Sequence, residues 1–315
     1  MRSRRWFQLL GLVAAVAVIS VLFVACGDDN EEGTATVTPA RTGTPARTGT
    51  PARTGTPAAS PKATGTPAGS PAAAVPELQD GVLQVGSDIA YAPIEFFEEG
   101  TQNPQGLDID LANALAAELG VRAEFINTGF DGIVPALNAS RFDILMSAMT
   151  IDEDRSKQID FVPYFDAGTD ILVAAGNPKN IKAIEDLSGL TAAVQIATVQ
   201  VKQLNAANDQ LKAAGKPEIN VLTFDQNPLA VEQLRTGRAD AVLSDVPVAL
   251  NDANQSDGKL QALGLNIEAA PYGIGVRKDS TALKSAIEGA LQAVIASGDY
   301  KKILEKWHLA AGSIE

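Results

Sequence analysis

Arg155 stands in the stretch SAMTIDEDRSKQIDF, residues 147–161, crowded by acids directly after the apolar run FDILMSAM. A guanidinium holds its N–H donors in a rigid fork that can grip a carboxylate through two parallel bonds. Thr150, just upstream, adds a hydroxyl donor. The plainer chemistry is an exposed ion pair with Asp152, three residues away, which would contribute only about 0.3–0.5 kcal/mol. Asp152 also reads as a helix N-cap, with Glu153 and Asp154 in the first turn, where negative charge suits the helix dipole. On these residues both readings stay open. Asp245 closes the run ADAVLS and either caps the helix beginning near Pro247 or meets an ammonium ion. Tyr91 and Phe130 each follow an apparent strand and read as core or as flat walls for a ligand.

Other chemistries find no residues. His308 is the only histidine, beside Trp307 in a C-terminal helix, and Cys26 is the only cysteine. A Ser-His-Asp or Cys-His catalytic set is not expected, nor is a transition-metal site. Neither GxxxxGK[ST] nor GxGxxG occurs, so nucleotide phosphates have no cradle. We expect no catalytic residues, no metal and no cofactor.

The elements that would position these groups alternate. Strands are expected at VLQVGS (82–87), VRAEFIN, FDILMSAM, ILVAA, TAAVQI, INVLTF, ADAVLSD, LQAL and YGIGVRK. Between them fall helices at DIDLANALAAELG, DGIVPALNAS, TVQVKQLNAANDQLKAAG, NPLAVEQLRTG and PVALNDANQ, with STALKSAIEGALQAVIASG and YKKILEKW closing the chain. Ile109, Leu111, Leu115 and Leu119 gather on one face of the first helix. A break is expected around YFDAGTD. Strands alternating with helices imply parallel sheets covered on both faces, with ligands at the carboxyl ends of strands. Asp88, Ser147 to Thr150, Gln195 to Val199, and Ser244 and Asp245 lie there.

The chain ahead of this pattern differs in composition. Residues 1–26 carry three arginines and then an apolar run ending at Cys26, the layout of an export signal. FVAC is similar to a bacterial lipoprotein cleavage site, which implies lipidation of Cys26; an uncleaved anchor helix is the alternative. SRRWF also resembles a twin-arginine export signal. Residues 27–76 repeat RTGTPA from Arg41, Arg47 and Arg53 and hold almost no large apolar residue. Such a segment buries no core and reads as a disordered tether, reaching roughly 150 Å if fully extended. The formal charge is −13, although the signal is basic and the tether balanced, so the acidity sits in the globular part. That argues against nucleic acid and against anionic lipid surfaces.

GLDIDLANALAAEL (Gly106–Leu119) resembles the signature of the family 3 bacterial extracellular solute-binding proteins, the polar-amino-acid receptors of ABC importers. VGSDIAYAPIEF, FDGIVPALNASRFDILMSAMTIDEDRSKQIDF, RADAVLSDVP and YGIGVRKD agree with that family in order and spacing, over residues 78 to about 308. The resemblance implies an α/β fold of type II, with two lobes of parallel-type sheet flanked by helices and two hinge crossings. These would fall near Asp166–Asp170 and Glu268–Tyr272, giving a first lobe of 78–168 plus 271–315 and a second of 169–270. It implies that Arg155 and Thr150 bind an α-carboxylate and Asp245 an α-ammonium. Tyr91 and Phe130 would flank the ligand side chain, Asp88 would touch its polar tip, and Ser147 and Ala148 would add contacts. Gln195, Thr198 and Val199 complete the expected set. The chain departs from the family where Ala148 replaces a frequent Gly and where IATVQ replaces a Gly-Thr pair. Gln195 stands where glutamine-selective members carry a basic residue, which counts against glutamine.

The implied protein is a monomer that delivers a basic or amide L-amino acid to an ABC permease. It would be exported and held by its lipid on the outer face of the cytoplasmic membrane. Two alternatives belong to other classes. One is a dehydratase-like enzyme of the same fold, against which counts the want of a spare Lys, His or Glu in the cleft. The other is a sensor for a separate signalling partner, since no transmembrane helix follows the domain before Glu315.

Overall fold

The computed structural model describes residues 74–315; the signal, the lipidation position Cys26 and nearly all of the tether lie outside the described residues. In chain order the first half runs β1 (Val82–Ser87), β2 (Ala90–Tyr91), β3 (Glu95–Phe97), β4 (Pro104–Gln105), α1 (Leu107–Leu119), β5 (Arg122–Asn127), α2 (Ile133–Asn138), β6 (Ile144–Leu145), α3 (Glu153–Ser156) and β7 (Asp160–Ala174). The second half runs β8 (Thr191–Gln195), α4 (Val199–Ala213), β9 (Asn220–Phe224), α5 (Asn227–Arg235), β10 (Ala241–Asp245), α6 (Val246–Asn254), β11 (Leu260–Ala262), β12 (Ile267–Val276), α7 (Thr281–Ala296) and α8 (Asp299–Lys306).

The strands make two parallel groups, one per lobe. β1 pairs in parallel with β5 and β6, and β8 pairs in parallel with β9 and β10. Two long strands join the groups: β12 pairs antiparallel with β6 and β7, and β7 pairs antiparallel with β10. Hydrogen bonding is therefore continuous in the order β5-β1-β6-β12-β7-β10-β8-β9, with β11 on β7. Helices cover both faces of each group. In the first lobe Leu107, Leu111, Leu115 and Leu119 of α1 pack with Leu283, Ile287 and Leu291 of α7 against β1. Ile133 and Leu137 of α2 cover the opposite face. In the second lobe Leu204 and Leu211 of α4 lie on one face, Val231 and Leu234 of α5 on the other.

Three readings of the sequence need correction. YFDAGTD is no break: β7 runs unbroken for 15 residues. Its polar residues serve the crossing. Asp170 is fully buried and accepts backbone N–H groups from Ile171, Gly264 and Leu265 at 2.7–3.1 Å. A Cβ on Gly168 would sit 2.6 Å from Asn266 Oδ1, so only glycine lets the crossing segments approach. FDILMSAM is a strand only at Ile144–Leu145. The rest is a buried loop with Ala148 in the left-handed region at φ 44°, tied to β12 by Ile151 N–H to Pro271 O (2.8 Å) and Gly273 N–H to Met149 O (2.9 Å). Finally, β2, β3 and β4 form a small antiparallel sheet over residues 90–105, to which the sequence pattern assigned no element.

Candidate functional site

The carboxyl ends of β1, β6, β8 and β10 converge on one small, tightly closed cavity between the lobes. Asp88, Tyr91, Phe130, Ser147, Ala148, Thr150, Arg155, Gln195, Thr198, Val199 and Asp245 all line it, so every ligand residue expected from the sequence is brought together. Glu95 and Gln200 line it too, and sequence reasoning passed over both. Glu95 corrects the expectation that the cleft holds no spare acid.

Arg155 belongs to α3, a single turn capped by Asp152, whose Oδ1 accepts the Arg155 N–H at 2.8 Å. The acid next to the arginine thus works for the helix. The side-chain pair between them is long, Nε to Asp152 Oδ2 at 3.7 Å, and that same oxygen receives Lys202 Nζ at 3.0 Å. Arg155 is only 8% exposed, too buried for the surface-pair reading. Its guanidinium donates to Thr150 O at 2.6 Å and, across the cleft, to Ala197 O at 3.0 Å. The Phe130 ring lies 5.4 Å from its Cζ. Two of its five N–H donors are thereby used by main-chain oxygens. Burial lowers its pKa, while the negative fields of Asp152 and Asp245 raise it.

Asp245 ends β10 and opens α6, buried in the second lobe. Its Oδ1 accepts Gln200 Nε2 at 2.8 Å, and its Oδ2 accepts the Tyr91 hydroxyl at 3.0 Å. The Asp245 N–H donates back to that hydroxyl at 3.0 Å, so Tyr91 of the first lobe closes on Asp245 from two sides. Tyr272 faces the carboxylate without a hydrogen bond of good geometry. Burial pushes the Asp245 pKa up to about 6, opposed by those bonds and by the charge of Arg155.

Four further acids and amides shape the rest. Gln195 Nε2 reaches across to Asp88 Oδ2 at 2.7 Å and also holds Asp225 O at 3.1 Å. Ser147 Oγ accepts the Asp88 N–H at 3.0 Å and donates to Glu95 Oε1 at 2.8 Å. Burial raises the pKa of Asp88, and raises that of Glu95 strongly with the nearby charge of Asp108 adding to it. Asp108, the signature acid of α1, sits just behind the cavity. It accepts the Tyr164 hydroxyl at 2.7 and 2.8 Å and the Ala148 N–H at 3.0 Å, which fixes the left-handed loop; burial holds its pKa at about 7. At the second-lobe wall Thr198, Val199 and Gln200, at the start of α4, line the cavity. Thr198 Oγ1 donates to Gln195 O at 2.8 Å.

The site can therefore hold a small solute carrying both charges, with a cation-bearing wall near Arg155 and α4 and several acids elsewhere. Residues 83–310 match the model of the bacterial extracellular solute-binding proteins, family 3. Arginine-binding protein ArgT of Corynebacterium glutamicum is 32% identical over 246 residues, covering 77% of this chain and 80% of that protein. An ancestral arginine-binding protein has been solved bound to arginine (40% identity, TM-score 0.67, 72% of this chain and 98% of that one). It has also been solved bound to glutamine (39% identity, TM-score 0.66, 73% and 98%). An ancestral amino acid-binding protein that was a precursor of cyclohexadienyl dehydratase is 38% identical with a TM-score of 0.63, covering 73% of this chain and 96% of that one.

Proposed function

The chain belongs to the bacterial extracellular solute-binding proteins of family 3, and we propose that it is the amino-acid receptor of an ABC importer, clamping a polar L-amino acid, basic or amide, between its lobes. The observation that carries this reading is the buried pair of opposite charges from opposite lobes, Arg155 and Asp245, lining one small cavity. In this reading the guanidinium exchanges a main-chain oxygen for the α-carboxylate, helped by Thr150 and the start of α4. Asp245 takes the α-ammonium. Tyr91 and Phe130 flank the side chain, and Ser147, Ala148, Gln195, Thr198 and Val199 complete the wall. Either charge left alone in a dry cleft would cost several kcal/mol. The solute therefore favours the closed form, and closure is the signal a permease reads.

Lobe limits of 78–168 with 271–315 and of 169–270 accord with the switch of β7 from β12 to β10 around Gly168. Export through residues 1–26, lipidation at Cys26 and a tether over 27–76 rest on the sequence alone. In this reading the protein is a monomer held by its lipid on the outer face of the cytoplasmic membrane. Cys26→Ser should then release the chain from the membrane fraction; persistent association would point to an uncleaved anchor.

The receptor reading is tested by a thermal-shift screen of the chain against the twenty amino acids, ornithine and small dicarboxylates. A shift with arginine, lysine, ornithine, histidine or glutamine supports it, and a shift with dicarboxylates alone sinks it. A second reading is favoured by Glu95, a buried acid lining the same cavity whose pKa is raised by burial and by Asp108, and that could serve as a general acid in a dehydratase-like enzyme. Mass spectrometry of the bound solute after prolonged incubation separates the two, since only an enzyme would release it short of a water.

A further inference from the structure

We infer that Glu95 is held as a neutral carboxylic acid whose O–H bonds the Asp108 carboxylate, and that this link positions the Ser147–Ala148 turn of the cavity wall. The inference goes beyond the receptor reading and stands whichever solute the cavity takes.

The main chain puts the two acids side by side. Leu107 N–H donates to Pro93 O at 3.1 Å, and Asp108 N–H donates to Ile94 O at 2.9 Å. A Cβ on Gly106 would lie 2.1 Å from Ile94 O, so the segment before Glu95 lies hard against the start of α1. Both carboxyl groups then meet consecutive residues of one turn. Ser147 Oγ donates to Glu95 Oε1 at 2.8 Å, and the Ala148 N–H donates to Asp108 Oδ2 at 3.0 Å. Both acids are buried.

The donors around the pair decide which acid keeps the proton. Asp108 receives the Tyr164 hydroxyl at 2.7 and 2.8 Å as well as the Ala148 N–H, so it acts as an acceptor and holds the charge. Ser147 accepts the Asp88 N–H at 3.0 Å, which leaves its own proton for Glu95 Oε1. Glu95 Oε2 is buried and receives no N–H or O–H among the described residues, yet the Glu95 side chain bonds Asp108. Two buried carboxylates in contact cannot both be ionised. The oxygen that receives no proton is the one that carries one. The bonds then run in one direction, from Asp88 N–H to Ser147, from Ser147 to Glu95 and from Glu95 to Asp108. Tyr164 and Ala148 close on Asp108 from the other side. Ala148 is thereby held at φ 44°, a left-handed conformation uncommon for a residue with a side chain.

The surrounding charges act in the same sense. Burial raises the Glu95 pKa well above its ordinary value, and the negative fields of Asp108, Asp88 and Asp245 add to it. The phenols facing it, Tyr91 and Tyr164, are kept neutral by burial. Burial also pushes the Asp108 pKa up to about 7, so the state with one shared proton belongs above that pH.

The test reads the Glu95 carboxyl carbon by NMR of the chain at pH 8 and above. Glu95 should still be protonated at pH 8 in the wild-type chain. Asp108→Asn, whose amide can donate to Glu95, should lower the Glu95 midpoint by about two pH units. Two substitutions at Glu95 then separate bonding from filling space. Glu95→Gln keeps an acceptor for Ser147 and an N–H donor for Asp108. It should melt within ~2 °C of wild type at pH 8 and leave the Ala148 amide resonance in place. Glu95→Met is of similar size and offers neither group. It should melt lower by about 4 °C and move that resonance. A wild-type Glu95 ionised at pH 8 overturns the inference. So does a Glu95→Met chain that melts like Glu95→Gln with the Ala148 resonance unmoved, which would leave Glu95 no part in positioning the turn. Neither result bears on the receptor reading, which the solute screen decides.

Discussion

The two carboxylates that cross the cavity from each other are treated in opposite ways by the fold. Asp245 has both oxygens occupied, by Gln200 and by Tyr91, and a tyrosine that bonds it twice. Glu95, no less buried, accepts from Ser147 through one oxygen and has a second acid, Asp108, as its neighbour. Burial raises the pKa of both. The difference is therefore in the neighbours, neutral donors for Asp245 and another acid for Glu95, since desolvation acts on each. A satisfied acid keeps its geometry in the empty protein and can exchange a neutral donor for an ammonium with little rearrangement. An acid beside a second acid is favoured in its protonated form, which relieves the repulsion between them.

Breaking the head-group end should produce the largest effect. Arg155→Ala removes the one cation that lines the cavity among the described residues and should weaken every amino acid alike by about 4 kcal/mol, close to a thousandfold. The melting temperature of the empty chain should move by only ~2 °C, because the guanidinium pays a desolvation penalty of its own. A variant that loses one ligand and keeps another would place Arg155 on the ligand's side chain instead of its head group. Asp245→Asn should follow at about 100-fold, again for all ligands. With a pKa near 6 in the empty site, Asp245 must lose its proton to hold an ammonium. Wild-type affinity should therefore fall as pH drops below about 6, by at most ~tenfold per pH unit, and Asp245→Asn should flatten that limb. Calorimetry between pH 5 and 8 reads both.

The empty chain supplies a smaller effect of its own. Asp108 near 7, Asp245 near 6 and Glu95 raised all have folded pKa values above their unfolded ones. For an acid shifted upward, the folded state binds more protons than the unfolded state between the two pKa values. Stability is then fullest below the unfolded pKa and is lost as pH rises through the folded one. The ligand-free chain should accordingly melt several degrees higher at pH 5.5 than at pH 7.5, on the order of 2 kcal/mol. Saturating a cationic ligand should shrink that gap. A melt that falls with acidification would mean these acids are ionised and paired.

The alternating pattern of the chain made most of the fold legible, since β1, β5, β8, β9 and β10 and the long helices bury apolar residues at the period of their element. What stayed hidden has physical causes. FDILMSAM is a continuous apolar run, and such a run marks burial without telling a strand from a packed loop. YFDAGTD looked like a break because Asp166, Gly168 and Asp170 are turn residues by type, yet Asp170 caps main-chain N–H groups of the other crossing segment and Gly168 makes room for it. The eleven cavity residues were reachable because each follows a strand or matches a family motif. Glu95 was not, because in IEFFEEG one acid among three beside two phenylalanines carries no periodic signal. Gln200 sits in the first turn of α4 as an ordinary polar residue and shows itself only through its bond to Asp245.

Outside the cavity the lobes also meet in water, which offers the mildest test of where the closed form draws its stability. Lys202 of α4 bridges to Asp152 at 3.0 Å and to Asp154 at 2.9 Å on α3, a lobe-to-lobe contact with the lysine half exposed. Those bonds lower the pKa of Asp154, and they do so for Asp152 against a burial that opposes them. Exposed pairs of this kind contribute about 0.2–1 kcal/mol and weaken with salt. If closure depended on this rim, Lys202→Ala would cost affinity as heavily as a cavity residue. If it depends on the buried crossings Tyr91 to Asp245 and Gln195 to Asp88, the same substitution should weaken arginine by no more than about threefold and remove part of the salt dependence. Calorimetry of Lys202→Ala at low and high salt separates these outcomes, and a loss above about tenfold would transfer the control of closure from the buried interior to the solvated edge.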